Sequence, residues 1–175
     1  MIDRIETEHL VLRKAAERDL DKIWNNVWRD ATLAETMLWT PTLTREEARR
    51  RLDRTIAYQA WNPGFFVCLR DTDEPIGFAG IRENEEGVFE ETGICIAQAY
   101  QGRGYGGEAL DALVELAFDA LGGRRFLYSC FRGNAPSAAL ALRRGFVFAG
   151  SEPKLRESDG LEYICDTYQL EKENL

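Results

Sequence analysis

The chain has 175 residues with 22 basic and 30 acidic side chains, which gives a formal net charge of −8. This length suits a single domain over residues 1–175, and the acidic balance argues against nucleic-acid binding, because phosphate neutralisation needs a basic face. His9 is the one histidine and the cysteines form no C-x-x-C pair, so we expect no metal. No apolar run of 18 residues and no signal-peptide pattern occurs, which predicts a cytoplasmic protein without a membrane partner.

The first half of the chain predicts two helices and four strands. "HLVLRK" alternates as a strand does, and the segment after it has one helical apolar stripe made of Leu20, Ile23, Trp24, Val27 and Trp28. A capping box formed by Thr44 and Glu47 begins a second helix. The runs "FFVCLR", "IGFAGIR" and "VFEETGICIA" are strands, and their connections are short enough for hairpins, so this part of the sheet should be antiparallel.

The second half begins with a helix whose apolar residues, from Leu110 to Leu121, keep helical spacing until Gly122 and Gly123 end it. "RFLYSCF" is a buried strand, "NAPSAALALRRG" is a short helix closed by a glycine, and "FVFAG" and "LEYICDTYQL" are two further strands. Helices therefore alternate with strands that are partly joined by hairpins. The sequence predicts a mixed α+β sheet fold.

A glycine-rich stretch, "ICIAQAYQGRGYGGEAL", lies between a predicted strand and a predicted helix. Gly102, Gly104 and Gly107 satisfy G-x-G-x-x-G, which is typical of dinucleotide-binding loops. A Rossmann loop, however, opens a series of parallel βαβ units, whereas this loop lies in mid-chain after hairpins. A P-loop is excluded because no Gly-Lys-Ser/Thr follows. What remains is a loop whose backbone N–H groups, at a helix start, could hold a pyrophosphate.

The run "QGRGYG", Gln101 to Gly106, resembles the Q/R-x-x-G-x-G/A pyrophosphate loop of the GNAT superfamily of acyl-CoA-dependent N-acyltransferases. Four further landmarks resemble its RimJ/RimL branch, which acetylates ribosomal proteins: an opening "TEHLVLR", an E-x-G at Glu91, an N-x-x-S at Asn134, and a closing D-x-Y at Asp166. The resemblance covers nearly the whole chain. It implies a central, mostly antiparallel, twisted sheet that is split between two parallel strands and flanked by helices on both faces.

The resemblance also implies where acetyl-CoA, the cosubstrate, would bind. The backbone of Ile94, Cys95 and Ile96 would hold the pantetheine arm and the acetyl carbonyl, although this segment could also be only a core strand. Close backbone approach to the pyrophosphate would come from the loop residues Gln101, Gly102, Arg103, Gly104, Tyr105 and Gly106. Asn134 would bond the pantetheine, or serve only as a helix cap. Ser137 would lie near the thioester sulfur, or face solvent as an ordinary helix residue.

Acetyl transfer to an amine requires a neutral nucleophile, and Glu91 is the candidate base that the resemblance gives. An α-amine with a pKa of about 8 is partly free at pH 7, whereas a lysine-type amine near 10.4 is not. Glu90 is the alternative if the strand register differs by one, and a solvated surface role for Glu91 stays open. Many members of the superfamily carry a tyrosine as general acid where this chain has Ala141. The departing thiol has a pKa of about 8.5 and needs only modest protonation.

Five glutamates on the hairpin before the glycine loop would attract a cationic acceptor: Glu83, Glu85, Glu86, Glu90 and Glu91. Trp39, in the loop "MLWTPT", is the candidate substrate contact together with Glu90, whereas Trp24 and Trp28 should be core. The predicted activity is direct attack of a primary amine on bound acetyl-CoA, without a metal. The acceptor is either a protein N-terminus or a small molecule, and a homodimer is compatible with the sequence. The alternative is a non-catalytic acyl-CoA-binding sensor, which the missing tyrosine favours.

Overall fold

A computed structural model describes residues 2–156 and 159–174. The strands are β1 (Arg4–Glu6), β2 (Leu10–Arg13), β3 (Gly64–Leu69), β4 (Pro75–Glu85), β5 (Val88–Ile96), β6 (Arg125–Phe131), β7 (Val147–Leu155) and β8 (Glu162–Glu171). The α-helices are α1 (Leu20–Ile23), α2 (Ala31–Met37), α3 (Arg45–Gln59), α4 (Tyr105–Glu115) and α5 (Ala135–Arg143). A π-helical turn continues α1 through Trp24–Trp28 and another continues α4 through Leu116–Ala120.

In the described part of the chain, the strands form a sheet in the order β1-β2-β3-β4-β5-β6-β8-β7. The pairing of β5 with β6 is parallel, and the β1–β2, β2–β3, β3–β4, β6–β8 and β7–β8 pairings are antiparallel. The predicted mixed fold is therefore confirmed. The described chain divides into two compact units, and the expectation of one domain stays a prediction.

The first unit comprises the described residues up to Ile81 together with Thr92–Leu113. Its core is built from the buried faces of β2, β3 and the helices, with Trp28 against Phe66 at a ring-centroid distance of 5.9 Å. The predicted capping box of α3 is confirmed, because the Thr44 side chain accepts from the Glu47 N–H and the Glu47 side chain accepts from the Thr44 N–H. Capping satisfies N–H groups that have no partner within the helix.

Helix α2 was not predicted from the sequence, which suggested only a loop before Trp39. Asp30 caps it by accepting hydrogen bonds from the backbone N–H groups of Thr32 (2.9 Å) and Leu33 (3.0 Å). The helix ends at Leu38, whose φ of 62° lies in the left-handed region. Trp39 follows in a loop, as predicted, and its ring lies 5.5 Å from that of Phe78. The short helix thus fixes the position of Trp39.

The second unit comprises Arg82–Glu91 and the described residues from Val114 onward. In the parallel pairing, Val88–Glu90 of β5 lie opposite Arg125–Leu127 of β6. On its other edge, the whole of β6, Arg125–Phe131, pairs antiparallel with β8. The aromatic core of this unit centres on Phe146, whose ring lies 5.9 Å from that of Phe126 and 6.1 Å from that of Tyr128. Three residues of parallel pairing are a short contact between strands of nine and seven residues.

Candidate active site

The glycine loop lies directly before α4 in the first unit. Gly102 and Gly104 have φ angles of +74° and +85°, and no atom lies within 4 Å of where a Cβ would stand at either position. The backbone N–H groups of Gly102, Arg103 and Gly104 donate to no acceptor within residues 2–156 and 159–174. Helix α4 begins directly after these residues, and its N-terminus carries the partial positive charge of the helix dipole. This arrangement of open donors at a helix N-terminus fits a pyrophosphate.

Two side chains of the loop form hydrogen bonds with residues that precede the loop in the sequence. Gln101 donates from Nε2 to the carbonyl oxygen of Ile96 at 2.9 Å, which joins the loop to the end of β5. Arg103 is exposed, donates to the carbonyl of Ala99 at 3.3 Å, and stacks over Tyr100. The structure thus gives Gln101 a role in shaping the loop, and it leaves Arg103 on the surface beside the open N–H groups.

At the first turn of α4, Glu108 connects the helix to the segment between β1 and β2. Its Oε1 atom accepts from the Thr7 hydroxyl (2.5 Å) and from the His9 backbone N–H (2.7 Å). Tyr105 is half-buried, with its ring 6.1 Å from that of His9. A Cβ on Gly106 would reach only Ile96, at an ordinary contact distance of 3.9 Å. These contacts hold the N-terminus of α4 in place.

The last residues of β5, Ile94–Ile96, precede the loop, and Cys95 and Ile96 are buried. A Cβ on Gly77 of β4 would stand 2.0 Å from the Cys95 carbonyl oxygen, so the two strands approach closely here. Burial raises the pKa of the Cys95 thiol to about 12, which keeps it protonated and makes it a packing residue. Gly93, with a φ of +125°, introduces an irregularity into β5 directly before this segment.

The predicted base lies in the second unit. Oε1 of Glu91 accepts from the backbone N–H of Ser129 on β6 at 3.3 Å. The neighbouring Glu90 forms an ion pair with Arg82 and also accepts from Asn84 Nδ2 at 3.3 Å. Alternation along β5 directs the two carboxylates to opposite faces. Glu90 is therefore held by its own strand neighbours, and Glu91, half-buried like Glu90, lies on the face toward Ser129.

Ser137 and Asn134 lie at the start of α5, also in the second unit. Asn134 caps the helix, with its side-chain oxygen accepting from the Ser137 N–H at 3.3 Å, so the structural role is confirmed and a ligand role stays a prediction. The Ser137 hydroxyl forms a hydrogen bond of 2.5 Å with the Tyr128 hydroxyl. Burial raises the pKa of Tyr128 to about 12. The sequence reasoning missed Tyr128, because nothing in "RFLYSCF" distinguishes it from a core residue.

Within residues 2–156 and 159–174, no group of three or more His, Cys, Asp or Glu side chains could hold a metal ion. Over the same residues, no helix is both long and apolar enough to cross a membrane.

The chain combines a mixed sheet with a glycine loop at a helix N-terminus, and this loop follows a strand segment whose backbone is closely packed. This combination is typical of the class of acyl-CoA-dependent transferases. The sequence matches the family model described as "Acetyltransferase (GNAT) domain" over residues 9–147. The chain belongs to this family of acetyltransferases, which confirms the family expected from the sequence.

Similar proteins agree with this assignment. The chain is 26% identical to the ribosomal-protein-serine acetyltransferase of Escherichia coli (strain K12) over 166 residues, which cover 93% of this chain and 89% of that protein. A GNAT-family acetyltransferase from Bacillus anthracis has a similar fold, with a TM-score of 0.83 at 20% identity, covering 97% of this chain and 99% of the other. The microcin C7 self-immunity acetyltransferase MccE, solved with acetyl-CoA and AMP, has a TM-score of 0.80 at 18% identity, covering 94% and 93%.

Proposed function

We propose that this acetyltransferase moves the acetyl group of acetyl-CoA to a primary amine by direct attack of the amine on the thioester. The observation that carries the proposal is the Gln101–Gly106 loop, where two glycines with positive φ and three backbone N–H groups without acceptors in the described residues precede α4. The structural relative MccE was solved with acetyl-CoA, and that cosubstrate fits the same loop chemistry. We infer that the protein works in the cytoplasm, where acetyl-CoA is available.

Each proposed residue has a defined task in this reaction. The loop N–H groups bind the pyrophosphate, and the backbone of Ile94–Ile96 binds the pantetheine arm and polarises the acetyl carbonyl. Glu91 accepts the proton that the acceptor ammonium group must lose before the neutral amine attacks, directly or through water. The Ser137 hydroxyl, hydrogen-bonded to Tyr128, donates a hydrogen bond to the departing CoA sulfur. When bound, acetyl-CoA supplies the activated acyl group.

The acceptor is a protein N-terminal α-amine or a small-molecule amine. The similarity to a ribosomal-protein-serine acetyltransferase supports the first. A non-catalytic acyl-CoA sensor is the alternative, and Ala141 in place of the family tyrosine favours it. A thiol-release assay with acetyl-CoA and a panel of peptides and small amines separates these functions. CoA binding without acetyl transfer to any amine would support the sensor.

The loop itself is tested by calorimetric titration of CoA against a matched pair of variants. Gly104→Val should weaken CoA binding at least about 10-fold, because the side chain occupies the space through which the phosphates approach. Gly160→Val is the control: Gly160 also has a positive φ, of +70°, with nothing within 4 Å, but it lies in the turn before β8. Equal losses in both variants would mean that backbone strain, and not the loop, controls the affinity. A nicotinamide dinucleotide should not raise the melting temperature as CoA does.

A further inference from the structure

The first unit contains a cavity of about 230 Å³ between α3 and the strands β3, β4 and β5. Five of its lining residues are aromatic: Trp28, Tyr58, Phe65, Phe66 and Phe78. Arg51 of α3 is the one permanently charged side chain among its lining residues. The volume lies below the range of about 300–1,000 Å³ that is typical of sites for drug-sized ligands, so a smaller molecule would fill it.

The Arg51 guanidinium lacks an acidic partner in the described part of the chain. Among the described residues, Arg51 donates a hydrogen bond from Nη1 to the Thr42 hydroxyl at 3.0 Å. The guanidinium carbon lies over the rings of Trp28 (4.8 Å) and Trp39 (5.0 Å), and these contacts use its faces. A guanidinium has five N–H donors in its plane, so most of them remain available to an acceptor that approaches edge-on.

The charge balance around Arg51 favours an anion. Burial, and secondarily the nearby charge of Arg54, lowers the pKa of Arg51 to about 10. The opposing influence is Cys95, whose own raised pKa keeps it neutral. Buried charges in proteins are normally paired, because an isolated charge loses its hydration without compensation. A bound anion would supply the pairing that the described residues do not.

A second donor beside Arg51 also lacks a partner. The indole Nε1 of Trp39 is buried and forms no hydrogen bond with any described residue, and it is the one buried side-chain polar atom of this kind found there. Unsatisfied buried donors are rare in native proteins and call for an explanation such as a ligand. Trp39 does not line the cavity itself, but its ring faces the Arg51 guanidinium at 5.0 Å, so this unpartnered donor belongs to a residue that packs against Arg51.

The cavity borders the strand that is proposed to hold the acetyl group. Thr92 and Gly93 of β5 are lining residues, and Ile94 follows them directly. A molecule in the cavity would therefore have one end at Arg51 and the other close to the start of the Ile94–Ile96 segment. That is the arrangement required of an acceptor and not of the CoA moiety, whose phosphates belong at the loop.

We infer that the acceptor is a small amine that also carries a carboxylate, of the size of a free amino acid, and that Arg51 binds this carboxylate inside the aromatic cavity. This inference rests on the proposed function and gives it a substrate class. A bidentate Arg–carboxylate pair is geometrically specific as well as strong. The aromatic residues of the lining would accommodate the apolar part of such a molecule.

The experiment compares amino acids with their amides, which keep the amine and lose the carboxylate. We expect phenylalanine and leucine to bind the wild-type protein about 10- to 100-fold more tightly than their amides, the range typical of hydrogen bonds to a charged group. Calorimetry in the presence of CoA measures binding, and thiol release with acetyl-CoA measures transfer. Equal affinities for each acid and its amide would overturn the inference without any variant.

Variants at Arg51 test whether this residue causes the preference for amino acids over their amides. Arg51→Gln should abolish the difference between acid and amide, and Arg51→Lys should keep part of it, because lysine retains the charge but not the planar fork. Arg54→Gln is the matched control: it removes the same charge from the same helix, at an exposed position that does not line the cavity. Loss of the preference in Arg54→Gln to the same extent would show a general electrostatic effect and contradict the inference.

CoA binding separates failure of this inference from failure of the proposed function. If CoA binds and other amines are acetylated while acids and amides behave alike, only the inferred substrate class is wrong. If CoA does not bind and no amine is acetylated, the proposed function fails as well. Acetylation of a peptide with an acidic residue near its N-terminus, but of no free amino acid, would assign the cavity to a protein acceptor and overturn the small-molecule assignment.

Discussion

The close approach of β4 and β5 gives a sharp test of how the proposed acetyl-binding segment, Ile94–Ile96, is held. In Gly77→Ala, the added Cβ would lie 2.0 Å from the Cys95 carbonyl oxygen and 3.0 Å from its carbonyl carbon. Side-chain Cβ atoms essentially never come within 3.0 Å of such a neighbour, and both groups here belong to buried strand backbone. The strands must therefore separate locally by about 1 Å, which a rotamer change cannot relieve.

The cost of this separation can be derived from the contacts at the site. Overpacking in a well-packed core costs typically about 1–3 kcal/mol. The adjacent hydrogen bond from the Ala97 N–H to the Ile76 carbonyl, 2.7 Å long, would also be strained, and a buried backbone group left unpaired costs about 1–3 kcal/mol. We expect Gly77→Ala to lower the free energy of unfolding by about 2–6 kcal/mol.

Urea denaturation measures this loss, and Gly150→Ala is the control, because no atom lies within 4 Å of its added Cβ and its φ lies outside the left-handed region. That control should change stability by less than about 1 kcal/mol. Gly77→Ala protein that still folds should bind CoA more weakly, since Cys95 lies in the proposed pantetheine segment. A Gly77→Ala protein as stable as Gly150→Ala, with unchanged CoA affinity, would refute the reasoning.

Three further predictions concern single contacts. Glu91→Gln should keep CoA affinity but lower kcat/KM by ~10²-fold, more for a lysine-type amine than for an α-amine; superimposable pH–rate profiles would exclude Glu91 as the base. Tyr128→Phe should lower kcat about 5- to 10-fold through the lost bond to Ser137, and an unchanged kcat would contradict that role. Arg13→Ala should reduce the free energy of unfolding by about 3–5 kcal/mol, measured in urea, because Asp19, 2% exposed, loses its 2.8 Å partner; a loss below about 1 kcal/mol would contradict it.

The elements that the sequence predicted correctly are those with local signals. The capping box at Thr44 and Glu47, the hairpin strands and the helix after the glycine loop all depend on neighbouring residues, and each is found in the structure. Strand β1 was missed, because three residues are too few to establish alternation. Helix α2 was also missed: the segment has an Asp cap at Asp30 but only seven residues, fewer than an apolar period needs to become evident.

The glycine loop was predictable, whereas the cavity was not. The binding proposed for this loop uses backbone N–H groups, so the glycine spacing in "QGRGYG" is itself the signal. Arg51, by contrast, lies in the helical run "REEARRRLDRTIAYQ", where nothing distinguishes it from its charged neighbours. Its environment depends on Trp28 and Trp39, which come from two other segments of the first unit. Contacts over such sequence separations leave no periodic signal, and they became visible only in the folded chain.

The presence of Ala141, where many members of the superfamily carry a tyrosine, also has a structural explanation. Ala141 is fully buried, and it lies four residues after Ser137, on the same face of α5. A tyrosine at this position would have to displace core side chains, and overpacking of that kind costs typically about 1–3 kcal/mol. A hydroxyl on this face is instead provided one turn earlier by Ser137, backed at 2.5 Å by Tyr128. Because a thiol with a pKa of about 8.5 leaves readily near neutral pH, the proposed reaction would require from this face only a hydrogen bond to the departing sulfur, which the Ser137 hydroxyl could donate without full proton transfer.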